Sequence, residues 1–325
     1  MKIMLLFPKW TGEYGIISHF AKKASTWPPL NLAYLAAIAE NKGHEVKIID
    51  GEAEDVPLKK MIEQVAVFKP DIIGITATTP FYHIASELAA GLKQRISKTP
   101  VIIGGPHITV LKEQAFGPFF DYAFIGESEV SWPLFLERYG NGKDISSIKG
   151  ILFRNGSEIK FTGNSDTIYD VDSIPFPARH LLRTNKYKIG TLQGIKTFAT
   201  IMTTRGCPFQ CIFCSTKVFG NRVRKRSPGL VVDEINSVIS KFNIKHFIFL
   251  DDTLTLDKNY ILQLCDMINK EKIKITFEGS TRANLIDEKL ISRMAETGLI
   301  RISFGLETVD AKMREIMRKE VPLES

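Results

Sequence analysis

From Met1 to about Tyr139, short apolar runs alternate with longer stretches in which apolar residues recur at helical spacing. The runs predict strands over Lys2–Phe7, Glu45–Ile49, Asp71–Thr76, Pro100–Ile103 and Tyr122–Ile125. The stretches between them predict helices. The first opens at Pro28-Pro29 and closes at Gly43, because proline suits the first turn of a helix and glycine the residue just past its end. Regular alternation of strand and helix predicts an α/β fold, a Rossmann-like or flavodoxin-like parallel sheet sandwich.

The pattern then changes. Gly150–Phe153 and Glu158–Phe161 flank Asn155-Gly156, which predicts a hairpin with a type I′ turn. Gly163 to Gln193 is polar, interrupted by Pro175 and Pro177, and reads as a linker. Strands return at Phe198–Met202, His246–Leu250, Ile273–Phe277 and Ile300–Phe304, with Val231, Ile235, Val238, Ile239 and Phe242 forming one apolar helix face. Four βα units suit a partial (β/α) barrel. The expected organisation is therefore residues 1–145 as a first domain, 146–195 as hairpin and linker, and 196–325 as the barrel part. A six-unit barrel core would need roughly 190 residues at roughly 31 per unit. About 120 follow Cys207, so a fifth and sixth unit are expected to be missing, as in a fragment or a split protein.

Charge changes this picture little. The net charge of +7 and pI near 9.1 come from scattered Lys and Arg, with one run, Arg222-Val223-Arg224-Lys225-Arg226. That run reads as a solvated loop, as a nucleic-acid contact, or as a loop facing an anionic ligand. The apolar stretch of Met1–Phe7 is too short for a signal-peptide core or a membrane span, so a cytoplasmic protein is expected. Three of four cysteines are clustered, which fits a reducing compartment. The fourth, Cys265, shares a helical face with Ile261, Leu264 and Ile268 and reads as core.

The cluster is Cys207, Cys211 and Cys214 in a CxxxCxxC array just after a predicted strand. A structural zinc site closes with four protein ligands. An iron-sulfur cubane on three thiolates leaves one iron open to another ligand. Zinc would have to borrow His246 or Cys265, neither of which stands in a paired motif. Other predicted strand ends carry Asp251-Asp252, Glu278-Gly279-Ser280 with Arg282, and Ser303 with Gly305-Leu306-Glu307-Thr308. The aspartates have the alternative of capping a helix, and Arg282 that of a surface ion pair. In the first half the corresponding loops hold Thr76, Thr78 and Thr79, Gly104-Gly105 and Gly126-Glu127. The GxGxxG that a dinucleotide needs after the first strand is absent.

The array, with Phe213 directly before its last cysteine and with Thr204-Arg205-Gly206-Cys207-Pro208 and Ser215 around it, resembles the radical S-adenosylmethionine (SAM) superfamily. The resemblance implies a 4Fe-4S cluster on Cys207, Cys211 and Cys214, with SAM on the open iron, cleaved by one electron to a 5′-deoxyadenosyl radical. It implies SAM contacts from Phe213, Asp251, Asp252, Arg282, Ser303 and Glu307. Of these, an aspartate would meet the SAM ammonium, Arg282 a carboxylate and Glu307 the ribose. The first half resembles the cobalamin-binding domain that precedes many radical SAM cores, through Pro28-Pro29-Leu30-Asn31-Leu32, Gly104-Gly105-Pro106-His107 and Gly126-Glu127-Ser128-Glu129.

That second likeness implies cobalamin contacts from Thr76, Thr78, Gly104, Gly105, Pro106, His107 and Glu127. The loop Pro8–Gly15 lacks the histidine of a DxHxxG motif, so no protein imidazole is expected on cobalt; His107 would touch the corrin edge or cap the following helix. The implied function is a cobalamin-dependent radical SAM enzyme that methylates an unactivated carbon of a small-molecule or lipid-like substrate. Oxidative cyclisation is its close variant, and an external donor such as a flavodoxin or ferredoxin supplies electrons. The alternatives are a cobalamin-binding module without turnover and a tRNA-modifying radical SAM protein; no dedicated RNA module is visible, so nucleic acid is not an expected partner.

Overall fold

The computed structural model describes residues 1–11, 26–215, 218–319 and 321. Gly12–Gly15 of the first loop, and Glu320 and Pro322–Ser325 of the tail, lie outside the described residues. The chain divides into two compact units, residues 1–169 with 173–195 and residues 170–172 with 196–325.

In the first unit, strands β1 (Lys2–Phe7), β2 (Glu45–Asp50), β3 (Ile72–Thr76), β4 (Val101–Gly104) and β5 (Tyr122–Phe124) run parallel in the order 2-1-3-4-5. This is the flavodoxin-like order, with its reversal between β1 and β3. Helices α1 (Leu30–Asn41), α2 (Leu58–Phe68), α3 (Tyr82–Arg95), α4 (Pro106–Leu111) and α5 (Ser131–Gly140) connect and follow them. Sheets with helices on both faces have strands that are apolar throughout, and all five residues of β3 are buried. Met4, Leu6, Ile73, Ile75 and Ile103 pack with Met61, Val65, Leu88 and Leu92 in one core.

The predicted hairpin forms, β6 (Ile151–Asn155) with β7 (Glu158–Phe161), and it extends the sheet antiparallel from β5, with Leu152 in the core. One expectation changes here. The segment expected to be a linker is pinned to the first unit through singly buried Ile174, Ala178, Leu182, Tyr187 and Ile189. It ends in β8 (Lys188–Thr191). The hydroxyl of Tyr187 donates to Asp50 at 2.9 Å, and the Ala178 N–H donates to the Ala33 carbonyl. Isolated apolar residues carry no period, so sequence pattern passes over them.

Burial pushes the carboxyl of Asp50 from 3.8 to about 6, against the N–H groups of Ala53 and Glu52 and the Tyr187 hydroxyl, which pull it down. The folded chain thus keeps a proton that the unfolded chain releases. Its stabilising effect is full below pH 3.8 and is lost as pH rises through about 6, on the order of 3 kcal/mol in all. Asp50→Asn keeps an oxygen for the two N–H groups and removes this titration. The variant's unfolding midpoint should therefore gain on that of the native chain between about pH 4 and 7; parallel curves in thermal unfolding would refute it.

In the second unit, β9 (Gly194–Ile201), β12 (His246–Phe249), β13 (Thr276–Thr281) and β14 (Leu299–Phe304) lie parallel in the order 14-13-12-9. A short antiparallel ribbon pairs β10 (Thr204–Arg205) with β11 (Arg224–Lys225). Helices α6 (Pro228–Phe242), α7 (Lys258–Lys270), α8 (Glu288–Thr297) and α9 (Ala311–Ile316) complete the βα units. Ala199, Ile201, Phe247, Phe249 and Phe277 pack against Val231, Ile235, Ile261, Leu264, Cys265, Leu290 and Met294. The arrangement is the partial (β/α) barrel that the sequence pattern predicts.

Strand β13 begins three residues later than expected. The Ile273 N–H still caps α7, donating to the Ile268 carbonyl, after Lys272 turns through a left-handed φ of 56°. Glu278 therefore stands inside the strand rather than after it, buried beside His246 at 3.4 Å and paired with Arg301. Among the described residues no helix is long and apolar enough to cross a membrane.

Candidate functional site

The cysteine loop leaves the carboxyl end of β9 and is closed at its neck. Its entry, Thr204–Arg205, pairs with its exit, Arg224–Lys225, and the Arg226 N–H donates to the Thr203 carbonyl at 2.9 Å. Gly206 allows this closure: its φ is 93°, and a Cβ there would lie 2.5 Å from the Arg222 carbonyl oxygen. The basic run is thus only in part a solvated loop: Arg222 and Lys225 are exposed, but Arg224 and Arg226 are buried. Arg224 is 5% exposed and donates to the Phe219 carbonyl, while Arg226 is 7% exposed, paired with buried Glu234 of α6, and reaches the Met202 carbonyl.

Asp251, just past β12, fastens the same neck. It is fully buried, and its carboxylate accepts from the N–H and hydroxyl groups of both Thr203 and Thr204. Its oxygens are thus engaged inside the protein. The capping alternative falls away, because Asp257 and Asp287 cap α7 and α8. Asp252, its neighbour, is exposed.

Cys207 lies buried at the base of the loop, its Sγ 3.7 Å from the Thr253 hydroxyl. Cys211 is half-buried, with Arg282 Nη1 3.7 Å from its Sγ. Cys214 is exposed, and its N–H donates to the Cys211 carbonyl. Desolvation, then the charges of Asp252, Cys207 and Cys211, push the Cys214 thiol up, while Lys319 pulls it down. The three thiols and Asp252 are therefore electrostatic neighbours.

Phe213, 48% exposed, lies under Lys319 Nζ, 5.7 Å from its ring centre, and Lys319 pairs with Glu307 at 3.3 Å. Glu307 itself has a left-handed φ of 61°. Ser303 is exposed on β14, opposite Ser280, and has no described contact with this group. Sequence reading gave no role to Thr203, Thr204, Phe209, Thr253 or Lys319, which meet these groups only through the fold. Among the described residues no three His, Cys, Asp or Glu side chains are placed to hold a single metal ion. His246 starts β12, about 10 Å of strand away from the carboxyl edge, and Cys265 faces the helix core, so neither completes a zinc site. Three thiols with no fourth protein ligand among the described residues are the donor set of a cubane with an open corner.

In the first unit the carboxyl edge holds the other predicted residues. Gly105 has φ 102°, and a Cβ there would meet the Ala77 carbonyl at 2.6 Å; Gly104 has open space beside it. Thr76 is buried and accepts from Asn31 Nδ2 at 2.7 Å; Thr78 is half-buried and Pro106 exposed. His107 Nδ1 lies 3.1 Å from the Thr79 hydroxyl and its ring packs against Tyr82 at a tilt of 31°, and burial pushes its pKa down. It does not cap α4, whose cap position is Gly105. Glu127 is buried. After β1, Trp10 stacks on Phe81, which meets Phe7 edge-on, and buried Glu52 accepts from the N–H groups of Trp10 and Thr11. The backbone open at Gly104 and the hydroxyls of Thr78 and Thr79 fit a large polar ligand at the carboxyl edge of β3 and β4, next to the sheet's reversal between β1 and β3.

A flavodoxin-like unit with an open carboxyl edge, followed by a partial barrel bearing a three-thiol loop, defines the class of protein. Family profiles agree: a B12 binding domain matches residues 19–135 and the radical SAM superfamily matches residues 201–324. An "Uncharacterized methyltransferase" of Pyrococcus horikoshii is 34% identical over 324 residues, 99% of this chain and 68% of the relative. The anaerobic magnesium-protoporphyrin IX monomethyl ester cyclase of Cereibacter sphaeroides is 28% identical, covering 98% of this chain and 52% of the cyclase. The solved structure of OxsB, a cobalamin-dependent S-adenosylmethionine radical enzyme with aqua-cobalamin and S-adenosylmethionine bound, gives a TM-score of 0.82 at 19% identity, a likeness of fold. It covers 99% of this chain and 46% of that one. The chain belongs to the radical SAM superfamily, in the branch that carries a B12-binding domain ahead of the radical SAM domain. It spans between about half and about two thirds of the length of these relatives.

Proposed function

We propose that the protein is an enzyme that uses cobalamin and reductive cleavage of SAM to methylate an unactivated carbon of a small-molecule or lipid-like substrate. The observation that carries this reading is the donor set, three neighbouring thiols on a closed loop at the carboxyl edge of a partial barrel. When bound, the cluster supplies one electron to the sulfonium of SAM, and cobalamin serves as the methyl carrier.

The remaining work falls to the chain. Cys207, Cys211 and Cys214 hold the cluster. Asp252, exposed beside Cys214, receives the SAM ammonium, with Phe213, Ser303 and Glu307 completing that site and Arg282 facing the carboxylate. Thr76, Thr78, Gly104, Gly105, Pro106, His107 and Glu127 line the cobalamin site within residues 1–145, and residues 196–325 carry the radical SAM role. The described part of the first loop, Pro8–Thr11, has no histidine, so the chain offers cobalt no imidazole there. An external one-electron donor such as a flavodoxin or ferredoxin supplies the reductant, and free thiols suit a reducing, cytoplasmic setting.

Methylation is favoured because the relative at 34% identity carries a methyltransferase name. The cyclase at 28% identity supports oxidative cyclisation as the second reading. The test is anaerobic reconstitution: about four irons per chain are expected, with 5′-deoxyadenosine released from SAM under reductant and a corrin spectrum after incubation with hydroxocobalamin. Stoichiometric zinc without iron would end the reading. A product heavier by one methyl group separates methylation from ring closure.

A further inference from the structure

Arg282 is 5% exposed, although it carries a full positive charge at the end of β13. Two groups of the cysteine loop enclose its head. Its guanidinium carbon lies 3.7 Å from the Phe209 ring centre, and Nη1 lies 3.7 Å from the Cys211 sulfur. Its Nε and Nη2 find no hydrogen-bond acceptor among the described residues. A buried cation without a counter-charge is strongly unfavourable, so the folded site calls for an anion at this point. Beside the SAM carboxylate assigned to it above, the protein itself offers one candidate near the guanidinium, the Cys211 sulfur, which is anionic when it serves as a cluster ligand.

We propose that Arg282 is a positioning residue for the cluster: Nη1 donates to the Cys211 sulfur, Phe209 holds the guanidinium plane in place, and the fixed positive charge makes the cluster easier to reduce. This rests on the reading that Cys207, Cys211 and Cys214 hold a 4Fe-4S cluster. Cluster potentials respond to net charge and to hydrogen bonds on sulfur, and each electron added by an external donor places more negative charge on the cluster sulfurs, including the Cys211 sulfur that Arg282 touches. Stacking on Phe209 also predicts that lysine is a poorer substitute, since an ammonium has neither a planar face nor a fork of donors.

The test is a redox titration of the anaerobically reconstituted full chain, followed by the EPR signal of the reduced cluster, in the native protein, Arg282→Lys and Arg282→Gln. All three are expected to load about four irons. At a fixed solution potential near the native midpoint, the ratio of reduced to oxidised cluster should fall about tenfold or more in Arg282→Gln and by less in Arg282→Lys. A loaded Arg282→Gln variant with the native ratio overturns the proposal. If Arg282→Gln takes up no iron, Arg282→Lys decides: loaded and shifted supports the assignment, loaded and unshifted overturns it. Loss of iron from both variants overturns it too, assigning Arg282 to holding the loop alone. A native chain that forms no cubane sinks the functional reading instead, which keeps the two failures apart.

Discussion

Alanine in place of Cys207, Cys211 or Cys214 is expected to take the reconstituted chain from about four irons to well under one, and to abolish SAM cleavage. Among the described residues no substitute ligand is within reach. His246 is engaged with Thr276 and Glu278 at the far end of its strand, and Cys265 belongs to the helix core. Asp252 is near Cys214, but a carboxylate is a harder ligand than a thiolate and suits iron-sulfur chemistry less. Folding should survive these changes, because Cys211 is half-buried, Cys214 is exposed, and Cys207 lies outside the main core of its unit. Cys265→Ala is the control. It leaves a small cavity in the core of the second unit, lowers the unfolding midpoint, and keeps the iron. Iron and sulfide analysis beside circular dichroism reads both effects, and a fully loaded variant at any of the three positions would contradict the donor set.

The fold was legible where burial is continuous. Four of the five parallel strands of the first unit are nearly continuous apolar runs, β2 with its exposed Glu45 and Lys47 being the exception, and the flanking Pro28-Pro29 and Gly43 mark their first helix within two residues. The cysteine loop was legible because its ligands are adjacent in sequence. What escaped were residues whose role depends on distant partners. Five residues with three arginines and a lysine read as a solvent-facing loop, yet Arg226 is buried against Glu234. A signal for that was present: Glu234 is an acidic residue on the apolar face formed by Val231, Ile235 and Val238. Strand β13 was placed too early because Ile273 looks like a strand residue, whereas its N–H belongs to the helix end before it. Tyr187 and Asp50 are 137 residues apart, and no local pattern announces their hydrogen bond.

The Asp251-Asp252 pair illustrates the same division, and it leads to the second large expected effect. Two adjacent acids after a strand look interchangeable, but the backbone turns Asp251 inward and leaves Asp252 exposed. The Thr203 hydroxyl donates to Asp251 at 2.6 Å, as does that of Thr204, and both backbone N–H groups point at the same carboxylate. Asp251→Ala would leave two buried N–H groups without an acceptor and free the neck from which the cysteine loop hangs. At about 1 to 3 kcal/mol for each orphaned buried group, a loss of roughly 3 kcal/mol or more is expected. Asp251→Asn should lose less stability, because its single oxygen still accepts while its NH₂ group faces donors. Denaturant unfolding of the chain before reconstitution reads the stability change. Iron content after reconstitution reads the loop, and it should fall in Asp251→Ala even under conditions where the variant remains folded, because Cys207 lies only three residues beyond Thr204. An Asp251→Ala chain with native stability and a full iron complement would mean that the ribbon of Thr204–Arg205 with Arg224–Lys225 closes the neck unaided.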